Sequence, residues 1–420
     1  MITTITRAVN WTILFMFIAC FSYQILYLIA PYIKKAKEHL PEKRNRYAVL
    51  IAARNEEKVI GQLIESIHNQ NYPQELIDIY VVADNCTDST AEIALQEGAY
   101  VYERFNQIQV GKGYALKFLL EQIFQSGNME DYDGFFIFDA DNLLDENYVT
   151  EMNRTFSDGY KVVTSYRNSK NFGDNWISSG YALWFLHEAQ FLNKGRLLLG
   201  NSCMVSGTGY VIAREVLERN DGWNFFLLTE DIEFTADCIV NDIKIGYCEK
   251  AVFYDEQPTR FQDSWHQRLR WIKGYFQVYR KYGKQLFKKL GKANGFSCFD
   301  MLMANLPAFV MTSIATVASV AMTVAGLMFA EDISFVLFSV VRLVVQTSLG
   351  MFALGVYTML TEWKQVHIPW YQKIGYCFTF PIYMLTYIPI AFAALKRKVE
   401  WKPIRHTCKV SLKQVKTTSL

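Results

Sequence analysis

Asp139-Ala140-Asp141 closes the apolar run Phe135-Phe136-Ile137-Phe138. Carboxylates at i and i+2 fall on one side of an extended strand end. Hard oxygen ligands so placed suit Mg²⁺ or Mn²⁺ held together with phosphate oxygens. Further on, Thr229-Glu230-Asp231 follows Phe225-Phe226-Leu227-Leu228. A carboxylate there can take the proton of a hydroxyl nucleophile. Asp231 is the candidate base; Glu230 and Glu233 are alternatives, because a helix starting here favours acids in its first turn anyway. The third group is Gln267-Arg268-Leu269-Arg270-Trp271. On a helix Gln267, Arg270 and Trp271 share a face. Arg270 can grip a phosphate bidentately, and the indole of Trp271 can stack on the C–H face of a sugar ring. In this order the three groups suit displacement of a nucleoside diphosphate by an acceptor hydroxyl.

The elements that must position them read as an α/β fold. Tyr47 to Ala52 form an apolar run, and Arg54-Asn55-Glu56-Glu57 then open a helix. A second unit runs through residues 79–83 to Asp84, Asn85, Thr87 and Asp88. Strands alternating with helices predict a mostly parallel mixed sheet, helices on both faces, with ligands at the strand C-terminal ends. No GxGxxG follows either strand, which disfavours a Rossmann dehydrogenase. Gly111-Lys112-Gly113-Tyr114-Ala115-Leu116 offers close backbone approach and a cation for a diphosphate. Ser206-Gly207-Thr208-Gly209-Tyr210 reads as a tight turn before another strand.

With these motifs the chain resembles the processive family 2 glycosyltransferases of GT-A fold, the group of cellulose, hyaluronan and poly-N-acetylglucosamine synthases. Gln267 to Trp271 matches that family's QxxRW. The resemblance implies that Ala53 and Glu56 border the nucleotide and that Asp84 contacts uridine. It further places Lys112, Asp139, Gln267 and Arg268 at the donor, makes Asp141 the metal ligand, and sets Ser206, Gly207, Thr208 and Trp271 under the acceptor. Two departures stand out: Asp84-Asn85-Cys86 replaces the usual Asp-Asp-Gly, and Ser206-Gly207-Thr208 replaces the Phe-Cys-Gly of cellulose synthases.

Apolar residues make up 51% of the 420, and charged ones 20%. That mixture arises by segregation, with apolar runs at the ends and charges between. A net charge of +2 gives no reason to expect a nucleic-acid partner. Eight scattered cysteines without a CxxC pair read as reduced thiols. Residues 11–31 carry no charge and are long enough to span a bilayer. The basic stretch after them puts residues 34 onward in the cytoplasm. Further apolar stretches lie at 302–330, 334–361 and 374–395, with Glu331-Asp332 suiting an external turn, Arg342 inside the second, and Lys396-Arg397-Lys398 after the third. An external N-terminus and four full crossings would leave that basic tail outside, against the charge bias, so one stretch is a candidate for a re-entrant or interfacial course.

The expected layout is thus an anchor at 1–33, a cytosolic transferase domain at 45–274, an interfacial amphipathic helix at 275–298, a membrane region at 302–395 and a basic tail at 396–420. The expected activity is inverting, metal-dependent polymerisation of a β-linked polysaccharide from a UDP-sugar at the plasma membrane. UDP-glucose and a β-glucan are the first choice, UDP-N-acetylglucosamine the second, and a homo-oligomer or an accessory export subunit the expected partner. Two rivals share part of this pattern: single-sugar transfer to a membrane lipid, and a non-catalytic export scaffold.

Overall fold

The computed structural model describes residues 2–35, 39–304, 333–396 and 399–417, with scattered helical positions between 314 and 328. The expected stretch at 302–330 and the turn at Glu331-Asp332 therefore lie largely outside the described residues.

Two helices open the chain, α1 (Ile2–Phe21) and α2 (Gln24–Ile33). Next come β1 (Tyr47–Ala53), α3 (Ile60–His68), β2 (Ile77–Asp84), α4 (Thr90–Gln96), β3 (Tyr100–Arg104), α5 (Lys112–Gln125), β4 (Gly134–Asp139), β5 (Leu143–Leu144), α6 (Tyr148–Ser157) and β6 (Val162–Ser169). They are followed by α7 (Trp176–His187), α8 (Lys194–Leu199), β7 (Tyr210–Ala213), α9 (Arg214–Arg219), α10 (Glu230–Val240), β8 (Ile245–Asp255), α11 (Phe261–Lys288) and α12 (Gly295–Met303).

One eight-stranded sheet runs in the order β3-β2-β1-β4-β7-β6-β8-β5. The first four strands pair in parallel, β7 is antiparallel to both neighbours, and β6 is parallel to β8. Continuous apolar runs such as Tyr47–Ala53 suit central strands covered on both faces. On one face Leu50, Phe135 and Ile137 pack on Leu116, Leu119 and Leu120 of α5 and on α7. On the other, Val49, Ile51 and Phe136 meet Leu63, Ile64 and Tyr148. The register of β1, β2 and β4 brings Ala53, Asp84 and Asp139 to one edge.

Two expected boundaries move. The presumed single anchor is divided between α1 and α2, and Tyr23 and Tyr27 at the break are buried against Leu192, Leu199, Phe299 and Met303 of the sheet-bearing unit. There Tyr23 Oη donates to Asp300 over 2.9 Å, and Asp300 also accepts from Arg196. The expected division at 274/275 falls inside α11, one continuous helix. Its Val278, Tyr282 and Leu286 pack on Ile232, Ala236 and Ile239 of α10 and on Cys298, Met301 and Leu302 of α12. Part of the helix expected to rest on a membrane thus faces protein, while Tyr279 and Phe287 of the expected stripe stay exposed.

Past α12, helices occupy Ile333–Thr361, Trp370–Leu385 and Tyr387–Lys396. By length and composition, Val341–Thr361 and Trp370–Leu395 are apolar enough to cross a membrane. Arg342 is exposed on the first. The second segment is tied to the sheet-bearing unit at both ends. Before it, Glu362 accepts from Tyr166 Oη and Gln365 O accepts from Asn168 Nδ2 over 2.9 Å. Tyr383 lies so close to Gly180 of α7 that a Cβ there would meet its ring at 2.3 Å. Ile390 and Ala394 pack on Leu269 of α11. After it, the tail crosses the strand ends: Trp401 lies over Arg54, Cys408 N donates to Glu256 over 2.8 Å, and Lys416 pairs with Asp145. The basic tail is therefore docked on the strand ends.

Candidate active site

Lys112 opens α5 and reaches across the strand ends to Asp139, also donating to Gly207 O over 2.8 Å. The helix can start there because Gly113 has no side chain: a Cβ would fall 2.1 Å from Phe225 O. Asp139 N donates to Thr208 Oγ1 over 2.9 Å, and Thr208 Oγ1 donates to Asn142. The turn after β4 and the turn at 206–208 are thereby locked together. Gly207, at φ +79°, adopts a conformation that disfavours side chains.

β4 ends at Asp139, so Asp141 lies in the following turn and the strand alternation expected for the pair does not apply. Its Oδ2 accepts from Glu256 N over 2.9 Å. Burial opposes its ionisation, yet His406, Lys170, the Glu256 amide and Arg167 hold Asp141 below the usual carboxylate range. Glu56 accepts from His406 Nδ1 over 2.8 Å, and its other oxygen is buried without a partner among the described residues. Burial opposes the charge of His406 as well, but Asp141, Glu56 and Glu256 push it up to about 10. This corner thus favours a cation. Among the described residues no three His, Cys, Asp or Glu side chains converge as a ready cage. The donor set fits a divalent ion whose remaining ligands are diphosphate oxygens and water.

Asp84, at the end of β2, is buried and paired with Arg104 at 2.5 Å. Asn85 and Asn55 adopt left-handed backbone, at φ 54° and 57°. Asn tolerates that region, so Asn85 can occupy a turn position that glycine also suits. Their side chains tie the loops, Asn55 Oδ1 accepting from Thr87 N and Asn85 Oδ1 from Asn106 N. Ala53 is buried at the end of β1.

Glu230 and Asp231 open α10, beside Ser206-Gly207. The Gly207 amide lies near enough to Asp231 to favour its charged form. Burial pushes both acids up, Glu230 to about 7, while Lys112 and Arg270 pull them back. Arg270 lies on α11 and donates to Leu228 O over 3.1 Å, which places it against the loop leading to the acids. Gln267, one turn earlier, keeps a buried Oε1 without a partner among the described residues.

Arg268 overturns its expected place at the donor. Fully buried, it donates to Ser264 O, Tyr383 O and Thr386 Oγ1 and sits over the rings of Tyr383 and Tyr387. Residues two apart on a helix diverge by about 200°, so the motif that aims Arg270 at the site aims Arg268 at the 370–396 segment. Trp271 is half-buried, edge-on to Tyr181 and Phe185.

Four site residues escaped the sequence reading: Arg104, Arg167, Asp255 and His406. Arg167, on β6, donates to Asp255 and to Ser206 O, joining the ends of β6 and β8 to the 206 turn. An acid closing the apolar strand 251–254 was a readable sign of Asp255. Nothing local marked His406, which arrives from 350 residues away.

A family model described as "Glycosyltransferase like family 2" matches residues 44–274. The chain is 27% identical over 244 residues to a beta-monoglucosyldiacylglycerol synthase of Synechocystis, covering 56% of this chain and 48% of that protein. It is 24% identical over 231 residues to a poly-beta-1,6-N-acetyl-D-glucosamine synthase of Staphylococcus epidermidis, 54% of each. The chain therefore spans about half the length of these curated relatives. Among solved structures it is similar to a mannosyltransferase from Pyrobaculum calidifontis in complex with GDP-mannose and Mn²⁺. That match has a TM-score of 0.48 and 18% identity, over 81% of this chain and 98% of that one.

Proposed function

The chain belongs to the family 2 glycosyltransferases, and on that premise we propose that it moves glucose from UDP-glucose, with inversion, to the end of a growing β-linked glycan at a membrane surface. The observation that carries this reading is the convergence of Lys112, Asp139, Asp231 and Arg270 around the 206–208 turn. Asp231 takes the proton of the acceptor hydroxyl as that oxygen attacks the anomeric carbon. One displacement on an α-linked donor yields a β linkage. Lys112 and Arg270 hold the departing diphosphate, and preorganised charge of this kind contributes strongly to the rate. A divalent ion bound by Asp141 and the diphosphate would supply further neutralisation of the leaving group. Trp271, half-buried and braced edge-on by the buried rings of Tyr181 and Phe185, supports an acceptor site with an aromatic wall.

Membrane association is supported by Val341–Thr361, which is long and apolar enough to cross. Both ends of Trp370–Lys396 return to the catalytic unit, which favours an interfacial course for that segment over a crossing. With that course the docked tail would share the side of the transferase domain, and its basic charge favours the cytoplasmic side.

The same returning segment favours a second reading, transfer of one sugar to a membrane lipid. It presents Trp370, Tyr371, Ile374, Phe378 and Ile382 as exposed apolar residues, and the Synechocystis relative is named for a glucolipid product. Asp231→Asn tests the reaction common to both. Transfer should be abolished while UDP binding persists; wild-type product yield from the variant would remove the base assignment.

A further inference from the structure

Between α7 and α8 the helix widens into a π turn at Glu188–Asn193. Such turns are rare and occur often at functional sites. This one carries Glu188 into a small pocket lined by Ser206 and Thr208 of the 206–208 turn, beside Arg167, Phe185 and Asn193. The transfer mechanism above leaves this acid unused. Its carboxylate has no ion pair among the described residues, and its recorded hydrogen bond is long, Ser206 Oγ donating over 3.4 Å. Arg167 is committed elsewhere, to Asp255 and to Ser206 O, with its guanidinium 3.6 Å over the ring of Phe185. Burial pushes Glu188 above the usual carboxylate range, against the pull of Arg196 and Arg167 and with the push of Asp231. An acid held so, with weak partners, calls for an explanation in a ligand.

The neighbouring contacts fix which ligand. Lys112 bridges Asp139 and Gly207 O, so a diphosphate held there carries its sugar, one bond away, over Ser206-Gly207. Asp231 borders that turn at the Gly207 amide, and Glu188 borders it at Ser206. Hydroxyl groups are neutral donors, and a carboxylate accepts two of them at once without needing a counter-charge. We infer that Glu188 is a specificity-determining residue for the transferred sugar, accepting hydrogen bonds from adjacent hydroxyls of the donor hexose. This inference rests on the glycosyl-transfer reading.

Calorimetric titration of the full chain in detergent tests it, with UDP, UDP-glucose and UDP-N-acetylglucosamine as probes, on wild type and Glu188→Gln. UDP lacks the ring, so its affinity should be unchanged in the variant. The preferred UDP-sugar should bind about ten- to a hundredfold more weakly, as loss of hydrogen bonds to a charged group implies. Deoxy forms of that sugar should discriminate against themselves in the wild type and lose their penalty in the variant. Unchanged UDP-sugar affinity in Glu188→Gln would overturn the assignment. Parallel loss of UDP would also overturn it, by showing a merely structural role. Failure of the wild type to bind UDP or either sugar nucleotide would instead overturn the transferase reading beneath it.

Discussion

Gly274→Ala is a severe test of how the base is positioned. Gly274 lies one turn beyond Arg270 on α11, facing Thr229, the residue before Glu230 and Asp231. A Cβ at 274 would stand 2.4 Å from Thr229 Oγ1, 2.5 Å from Cγ2 and 2.9 Å from Cβ. Ordinary contacts need about 3.5 Å, so Thr229 must retreat by about 1 Å. Thr229 is buried and cannot swing into solvent. Leu228 on its other side is held to α11 by Gln277 Oε1 and by Arg270. The displacement therefore passes into Asp231. Misplacement of a reacting group by about 1 Å costs about 10²-fold in rate. Stability changes less, since overpacking of about 1–3 kcal/mol is offset by about 1 kcal/mol of helix propensity. Gly283→Ala on the same helix is the control, because a Cβ there meets nothing closer than 3.5 Å. UDP release in the presence of acceptor should fall about 10²-fold in Gly274→Ala and hold in Gly283→Ala, with Gly274→Ala still folded and Gly283→Ala at or slightly above the wild-type Tm. Adding Thr229→Ala to Gly274→Ala should restore part of the rate. Wild-type turnover by a folded Gly274→Ala would refute the claim that this contact sets the base.

Other expectations follow from the same contacts. Arg268→Leu should lower Tm, because the Tyr383 and Thr386 acceptors lose their donor, yet leave UDP affinity intact; a selective loss of UDP binding would return Arg268 to the donor site. Truncation after residue 398, or His406→Ala, should weaken UDP-sugar binding by releasing Glu56 and uncovering the strand ends; unchanged affinity would show that the docked tail is idle. The rate should fall as pH drops through the raised, coupled titration of Glu230 and Asp231, because Asp231 must be ionised to accept a proton. Lys112→Met removes a cation that lowers both, so its acid limb should move to higher pH. A profile flat to pH about 5, near the ordinary carboxylate range, would contradict that assignment.

The fold was readable wherever a local pattern determined it. Buried runs such as Tyr47–Ala53 and Phe135–Phe138, each followed by polar turns, specify central parallel strands whatever the rest of the chain does. The placement of Asp139 at a strand end and of Glu230 at a helix start followed from the same periodicity. Less legible was anything decided by which surface an element meets. The stripe of α11 looks alike whether it covers a bilayer or α10, and only the packing of Val278, Tyr282 and Leu286 distinguishes them. Arg268 and Arg270 share one motif, but two residues of helix, just over half a turn, send them to opposite partners. Contacts such as Glu56–His406 and Asn168–Gln365 join distant parts of the chain, and no local spacing announces them. Glu188 was hidden because it sits within an apolar helix whose π turn leaves no compositional trace.

The central claim meets its most direct test in one incubation. Purified protein in detergent would receive Mg²⁺ or Mn²⁺ and each radiolabelled UDP-sugar in turn, the product being sized and then digested with linkage-specific glycosidases. The account predicts high-molecular-weight product from UDP-glucose, cut by β-glucanases and absent with Asp231→Asn. Label confined to a chloroform-soluble lipid would contradict polymerisation and transfer the acceptor site to the lipid reading.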